Sequence, residues 1–451
     1  MKFKKYFVES PSKNTHSILK GYDNPDHKIS IWNTFVDSEL DGIYHDDFSI
    51  IPRLIPESYF PVIEKTCKEI TTFLLSLLSL PEDEIKAIVP EGPIRNFLIN
   101  ELDVLKHKPK RYTGSFRFDM AIVGKPTQEN PPQLLEVNEI GFDGLARSTY
   151  FQNTLLEHMP ELKKKVRALD TAEAEIRNMN RLGKKIVRLQ YDNYNWDEHF
   201  LKMTADKMGS ELHLVSPTQY KCDVDKKDFP LLEKKPFTFP GGKLMVGKDL
   251  KPDAMNMSFA YTLSDLKRDK KLYADMVASK TPQYGPLITG LVASKNILIL
   301  LSDEKLRKRF LGSAEVLRKS ILPAFPLKGN VEEVISRSSE FVLKHSDGFG
   351  GELVFMDQQM LRQIKKMKKG TEHEWVVQKK TKLNVLSVNG ILSRRKKAIS
   401  DLGVFVQYDW EDGKFKHFEI GGLMSRATNR SLKVNVSSGG LQVAVMLERG
   451  V

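Results

Sequence analysis

The chain is poor in cysteine, has no long apolar run and carries no excess of acid, and each shortage removes a class of protein. Two cysteines, Cys67 and Cys222, in 451 residues cannot cross-link a disulfide scaffold. The most apolar stretch, residues 72–80, is about half the roughly 20 residues that a membrane span requires, so it reads as part of a core helix. A hydrophobic fraction of 40% without periodic glycine excludes both disorder and collagen. Behind the basic start Met1-Lys2-Phe3-Lys4-Lys5 the sequence turns polar and proline-bearing, which predicts a cytoplasmic protein. Reactive signatures are equally scarce. There is no HxxxH or HExxH, no GxSxG, no GxxxxGK[ST] and no GxGxxG opening a helix, so zinc sites, serine nucleophiles and the standard nucleotide loops find no support.

What is present is length enough for two or three domains and a surplus of base. Seventy lysines and arginines against 58 aspartates and glutamates give a formal charge of +12. The basic runs, at residues 106–111, 365–369, 379–382 and 394–397, are short and scattered, so they read as a solvated surface, and neither nucleic acid nor membrane is expected as partner. Val62, Ile63, Cys67, Ile70, Phe73, Leu74 and Leu77 recur at helical spacing, and Pro81-Glu82-Asp83-Glu84 opens another helix. Residues 117–123 and 133–138 read as two strands joined by a polar turn. A charged helix comes next over 162–180, then strand 185–189, helix 196–208 and strand 211–215, the order of a small α/β domain. Beyond Ser294 the pattern predicts a long helix carrying Ile297, Leu298, Leu300 and Leu301, strands at 340–344, 374–379 and 403–410, and a glycine-rich close at 437–440. Residues before Asp47 show no sustained period and read as an extension packed on the adjoining domain.

Two groups of residues could carry chemistry. Asp119 and Glu136 stand on the two strands of the polar-turn hairpin, and Asn138, two beyond Glu136, shares its face. Two carboxylates and an amide carbonyl are hard ligands of the kind Mg²⁺ takes together with waters and phosphate oxygens. The same acids also read as a solvent-facing pair, with Arg117 simply neutralising Asp119. Lys344 ends a strand and runs into Ser346-Asp347-Gly348-Phe349-Gly350-Gly351. Such a loop lets backbone N–H groups approach phosphate while the lysine adds a point charge, although a hairpin with glycine in its turn accounts for it too.

Taken in order, these segments resemble the ATP-grasp ligases, and most closely the eukaryotic, circularly permuted glutathione synthetase family. The resemblance is carried by Arg117-Phe118-Asp119, Leu135-Glu136-Val137-Asn138-Glu139-Ile140, residues 142–149, Ala293-Ser294-Lys295, Phe341-Val342-Leu343-Lys344, residues 400–405 and residues 437–445. It implies an α/β, ATP-grasp fold with an N-terminal extension (1–45), a partly helical first part of the core bearing the metal hairpin (46–182), an inserted α/β substrate domain (183–293) and a nucleotide-binding region (294–451). It implies ATP and Mg²⁺ as cofactors. The metal would lie at Asp119, Glu136 and Asn138, with Asp347 a further ligand one position displaced. Lys295 and Lys344 would hold phosphates beneath loops at Gly350, Gly351, Gly439 and Gly440, Gln378 and Lys380 would border the adenine, and Asp401 would reach the ribose. Arg117 would steady the charge on the transferred phosphoryl group, and Arg426 would bind a substrate carboxylate. The implied reaction joins a small-molecule carboxylate to an amine through an acyl phosphate with release of ADP, in a family whose members are commonly homodimers.

The departures concern substrate. The segment after Asn138 is shorter than the family's and lacks its serines, no arginine stands near Met257-Ser258-Phe259-Ala260-Tyr261, and Thr428 occupies the place of a lysine after Arg426. Nucleotide and metal residues are kept where substrate residues are not, which predicts a ligase for a carboxylate other than γ-glutamylcysteine. The competing expectation is a binding protein on the same fold that turns its charge on nucleic acid.

Overall fold

The computed structural model describes residues 7–36, 47–139, 144–189, 196–219, 232–257, 262–312, 315–348, 353–394, 396–429, 434 and 440–450. Two helices, α1 (Lys13–Tyr22) and α2 (Pro25–Val36), form within the N-terminal segment that shows no sustained period in sequence. Ser12 caps α1, and its hydroxyl donates to Glu448 Oε1 at 2.6 Å, so this segment is fastened to a residue remote in sequence. Strand β1 (Phe48–Pro56) leads into α3 (Phe60–Ser79), which buries Ile63, Cys67, Ile70, Phe73, Leu74 and Leu77 on the face their spacing predicts.

The hairpin of β2 (Arg111–Ala121) and β3 (Gln133–Asn138) pairs Asp119 with Glu136 and Arg117 with Asn138, with a bulge just after Asp119. Helix α4 (Leu145–His158) comes after it. The single helix expected over 162–180 is broken. Val166 and Arg167 pair with a distant strand, and α5 (Thr171–Met179) starts afresh where Asp170 Oδ1 accepts the Glu173 N–H at 2.9 Å. Next come β4 (Lys185–Leu189), α6 (Trp196–Lys207), β5 (Glu211–Pro217), β6 (Glu233–Lys235), β7 (Ala254–Asn256) and β8 (Gln283–Tyr284).

The expected long helix after Ser294 is only Ile297–Ser302, because Asp303 caps the next one, α7 (Glu304–Leu311), by accepting from the Lys305 and Leu306 N–H groups. The remaining elements are β9 (Ala324–Pro326), β10 (Phe341–His345), β11 (Val354–Met356), α8 (Asp357–Lys366), β12 (Trp375–Lys379), β13 (Asn384–Val388), β14 (Lys396–Ser400), β15 (Leu402–Glu411), β16 (Lys414–Thr428) and β17 (Leu441–Glu448).

One large sheet runs β1-β17-β16-β15-β2-β8-β7-β4-β5-β6, and a small antiparallel sheet runs β9-β12-β10-β11. Strand β2 is the fork of the large sheet. One edge pairs with β15 along its length, while the other is shared, Thr113 meeting β8 in the parallel half and residues 117–121 meeting β3. Strand β17 takes up the later part of the run 437–445 that carries the resemblance. Residues 437–439 lie outside the described residues, but Leu441 onward is a buried strand between β1 and β16. A strand covered on both faces shows no alternation, so its sequence carries no period to read. In β16 a Cβ on Gly422 would lie 1.6 Å from Thr171 Oγ1 and one on Gly421 2.6 Å from Ala174 Cβ, so the glycine pair is what lets α5 lie against the sheet.

Candidate functional site

The small sheet has two unlike faces, as strand alternation requires. Phe341, Leu343, Trp375 and Val377 turn into a satellite core with Leu327, Val334 and Met360. Their neighbours turn the other way and grip β3: Lys344 Nζ donates to Leu135 O at 2.7 Å, and Gln378 Nε2 donates to Leu134 O at 3.1 Å. Lys344 is thereby brought beside Glu136.

A second lysine reaches the same carboxylate. Lys295 donates its backbone N–H to Ser346 O at 2.9 Å, its Nζ lies 3.0 Å from Glu136 Oε1, and it also donates to Gly348 O. Both lysines are buried. Burial pushes the Glu136 carboxyl up, but Lys295 and Lys344 together hold it below its ordinary value. Burial lowers the Lys344 ammonium to about 8, with Glu136 resisting the fall and Lys295 adding to it.

Across the hairpin the charges interlock. Asp119 accepts from Arg117 Nε at 2.9 Å and from Arg426 Nη2 at 2.7 Å, while Arg426 Nε donates to Asp401 Oδ2 at 3.0 Å. Burial pushes the Asp119 carboxyl up, and the two guanidiniums overcome it and set the group at about 2. Asp401 goes the opposite way: burial and the neighbouring Asp119 raise it, with Arg426 opposing. Arg53 stands behind this row. Its Nη1 donates to Asp401 O at 2.7 Å and Ser425 Oγ at 2.9 Å, and its other nitrogens hold Glu9 at 2.9 and 2.7 Å.

Arg117, Asp119, Glu136, Asn138, Lys295, Lys344, Asp401 and Arg426 therefore come together around the β2–β3 hairpin. Others fall elsewhere. Asp347 accepts the Ile94 N–H at 3.3 Å at the start of the helix Pro93–Asn100, and burial raises its carboxyl. Lys380 pairs with Asp357 at 2.5 Å, Gln378 is occupied with β3, and Gly440 is buried just before β17. Gly350, Gly351 and Gly439 lie outside the described residues. Sequence reasoning missed Arg53, although a lone arginine inside the apolar run Ile50-Ile51-Pro52-Arg53-Leu54-Ile55 is a signal that a buried partner exists. It also missed Glu139, raised to about 8 by burial and hydrogen-bonded to Thr289.

A second buried cluster lies where β2 meets the parallel half. Arg188 Nη2 donates to Glu198 Oε1 at 2.7 Å, and Glu175 accepts from Ser115 Oγ at 3.1 Å and Gln407 Nε2 at 3.3 Å. Burial pushes the Glu175 carboxyl up, with the Arg188 charge opposing.

The donors suit Mg²⁺ in part. Glu136 keeps a partly open carboxylate, and Asn138 donates its Nδ2 to Arg117 O at 3.3 Å, so its amide oxygen is the end left for a cation. Asp119, expected as a ligand, is enclosed by two guanidiniums instead. Among the described residues no three His, Cys, Asp or Glu side chains converge as a metal cage. One carboxylate with one amide matches the sparse protein ligation typical of Mg²⁺ beside phosphate.

No protein-family model and no curated protein sequence matches the chain. Among solved structures, a glutathione synthetase-like effector from Globodera pallida in its apo form superposes with a TM-score of 0.70 at 12% identity, covering 98% of this chain and 100% of that one. The chain thus has a glutathione-synthetase-like α/β fold. An ATP-grasp ligase, PsnB, complexed with a minimal precursor, aligns over 59% of this chain and 89% of its own at 13% identity, with a TM-score of 0.27 that is too low to bear on the fold.

Proposed function

We propose that the protein is an ATP- and Mg²⁺-dependent carboxylate–amine ligase that releases ADP and acts on a carboxylate other than γ-glutamylcysteine. The observation that carries this reading is the convergence of two buried lysines, from separate elements, on the single carboxylate of Glu136. A buried cation is costly unless paired. Among the described residues Arg117 and Arg426 face Asp119 and Asp401, while Lys295 and Lys344 share Glu136, with Asp347 also acting on Lys295. A polyphosphate would give the two lysines that share Glu136 an anion each can bind.

Lys295 and Lys344 bind and orient the phosphate oxygens as point charges. Glu136, released from Lys295 by that anion, and the amide oxygen of Asn138 would hold Mg²⁺, which when bound neutralises charge on the phosphates during transfer. Asp119 stays ionised at any working pH and keeps the guanidiniums of Arg117 and Arg426 aligned toward the reacting carboxylate. The small sheet, gripping β3 through Lys344 and Gln378, closes over these groups and excludes water from the activated carboxylate.

A screen of amino acids, polyamines and short peptides for Mg-ATP-dependent release of ADP and phosphate tests the reading. AMP and pyrophosphate as products would sink it. γ-Glutamylcysteine with glycine should give a kcat/KM several orders of magnitude below a ligase's usual range, because each lost charge-assisted contact costs about 1.5–3 kcal/mol. A second reading, a non-catalytic binding protein, is favoured by one feature: Arg426 is saturated by Asp119 and Asp401 and must part from one of them to hold a substrate. Nucleotide binding without turnover on any member of the panel would decide for it.

A further inference from the structure

Helix α8 packs its Met360 and Ile364, with Met367 just beyond its end, into the satellite core beneath the small sheet. The i, i+4, i+7 spacing of those residues puts Arg362, Lys365 and Lys366 on the opposite side, and Lys368 and Lys369 follow in the next turn. All five cations are exposed or half-exposed, and among the described residues none of them forms an ion pair. The basic stretch of α7 and the helix Glu315–Ser320 is different. There Lys308 pairs with Glu304 at 3.2 Å, Arg309 with Glu84 at 2.5 Å and Lys319 with Glu315 at 3.8 Å. Nor, among the described residues, do acids of the small-sheet unit pair with the α8 cations. Glu333 and Glu340 both bind Arg337, at 2.6 and 2.8 Å, Asp357 binds Lys380, and Glu374 faces His345 at 3.6 Å.

We propose that this outer face of α8 and the turn after it is a docking surface for the phosphate backbone of single-stranded nucleic acid. Cations at a helix C-terminus complement its dipole, but that effect fades within the last turn and accounts for one or two of them. Stable insertion into a membrane surface would draw on apolar side chains beside the cations, and of those in α8 Met360 and Ile364 point inward and Leu361 alone is half-buried outside the satellite core. Because α8 covers the face of the small sheet opposite Lys344 and Gln378, the docked strand lies outside the charged cluster at β3 and the inference stands independently of the ligase reading.

The test is binding of the whole chain to a labelled single-stranded RNA of about 20 nucleotides as salt is raised. Engagement of three to five cations predicts a log–log salt slope of about −2 to −3.5, a weakening of roughly 15- to 130-fold between 50 and 200 mM. The triple substitution Lys365→Glu, Lys366→Glu, Lys369→Glu should lower affinity at least about tenfold and flatten the slope by about 2, and Lys→Gln changes at the same positions should act in the same direction. Lys305→Glu, Lys308→Glu, Lys319→Glu carries the same change in net charge on another face and should leave affinity within about threefold. Equal losses in both triples, absence of binding at 50 mM salt, or tighter binding to phosphatidylserine vesicles than to RNA would each overturn the proposal.

Discussion

Two buried clusters of charge share the large sheet, and they resolve the cost of burial in opposite ways. At the parallel end, Arg188 lies between Glu198 and Glu175, and the extra negative charge is met by Ser115 and Gln407 and by a rise in the Glu175 pKa toward its neutral form. At the β3 end two buried lysines share the one carboxylate of Glu136. Arginines do not deprotonate, and the Lys344 ammonium falls only to about 8, so these cations keep their charge at neutral pH. The first cluster pairs its one cation with two acids, although among the described residues Arg188 Nη1 and Gln407 Oε1 are buried without a hydrogen-bond partner, and the second gives two cations one shared acid. Burial of charge alone therefore does not mark a site; the β3 cluster is set apart by two cations that converge on one partly open carboxylate.

Substitutions should separate the two. The largest effect is expected for Arg188→Leu, which strands buried Glu198 and Glu175 without their cation and should cost about 3–5 kcal/mol in urea unfolding while leaving the affinity of the surviving folded protein for nucleotide unchanged. A loss of nucleotide affinity with stability intact would reverse the roles of the clusters. Lys344→Met should leave the melting temperature close to wild type and lower Mg-ATP-dependent phosphate release by about 10²- to 10³-fold, the usual loss for one preorganised donor to developing charge. An undiminished rate would mean that Lys344 only clamps β3.

A smaller effect concerns pH. An anion binds protonated Lys344, so nucleotide Kd should hold steady up to pH about 8 and weaken above it, by up to about tenfold per unit, with Lys344→Arg flattening the profile. A Kd flat to pH 10 in wild type would remove Lys344 from the anion site. The smallest change is expected at Glu175. Its raised carboxyl gives stability that is complete below the ordinary carboxylate pKa and is lost as pH climbs toward the folded-state value. Unfolding free energies at pH 4 and pH 8 should therefore shift in favour of Glu175→Gln as pH rises, and a shift the other way would show that Glu175 is held charged.

The hairpin was legible in sequence because two alternating segments flank a turn rich in proline, glycine and asparagine, and a strand's period of two places Asp119, Glu136 and Asn138 on one face. Helix α3 was legible for the same reason at a period of 3.6. The surroundings of the hairpin were not. The partner that encloses Asp119 is Arg426, 307 positions away, and no local spacing records that contact. Strand β16 is interrupted by glycines that serve the packing of α5, and β17 is buried on both sides, so neither shows a strand's alternation. The expected roles of Lys380 and Asp347 rested on motif position, which says nothing of the Asp357 and Ile94 groups that hold them.

Strand β1 lies parallel to β17, with Phe48 beside Gln442 and Leu54 beside Met446. During synthesis the earlier strand leaves the ribosome with Phe48, Ile50 and Ile55, all destined for the core, and its partner is not yet made. At about 5–20 residues per second the wait is on the order of 20–80 s, long compared with hydrophobic collapse. The large sheet can close along this edge only after nearly the whole described chain has been translated, so the nascent protein has an extended interval in which chaperones, aggregation and premature pairing compete for the same apolar strand.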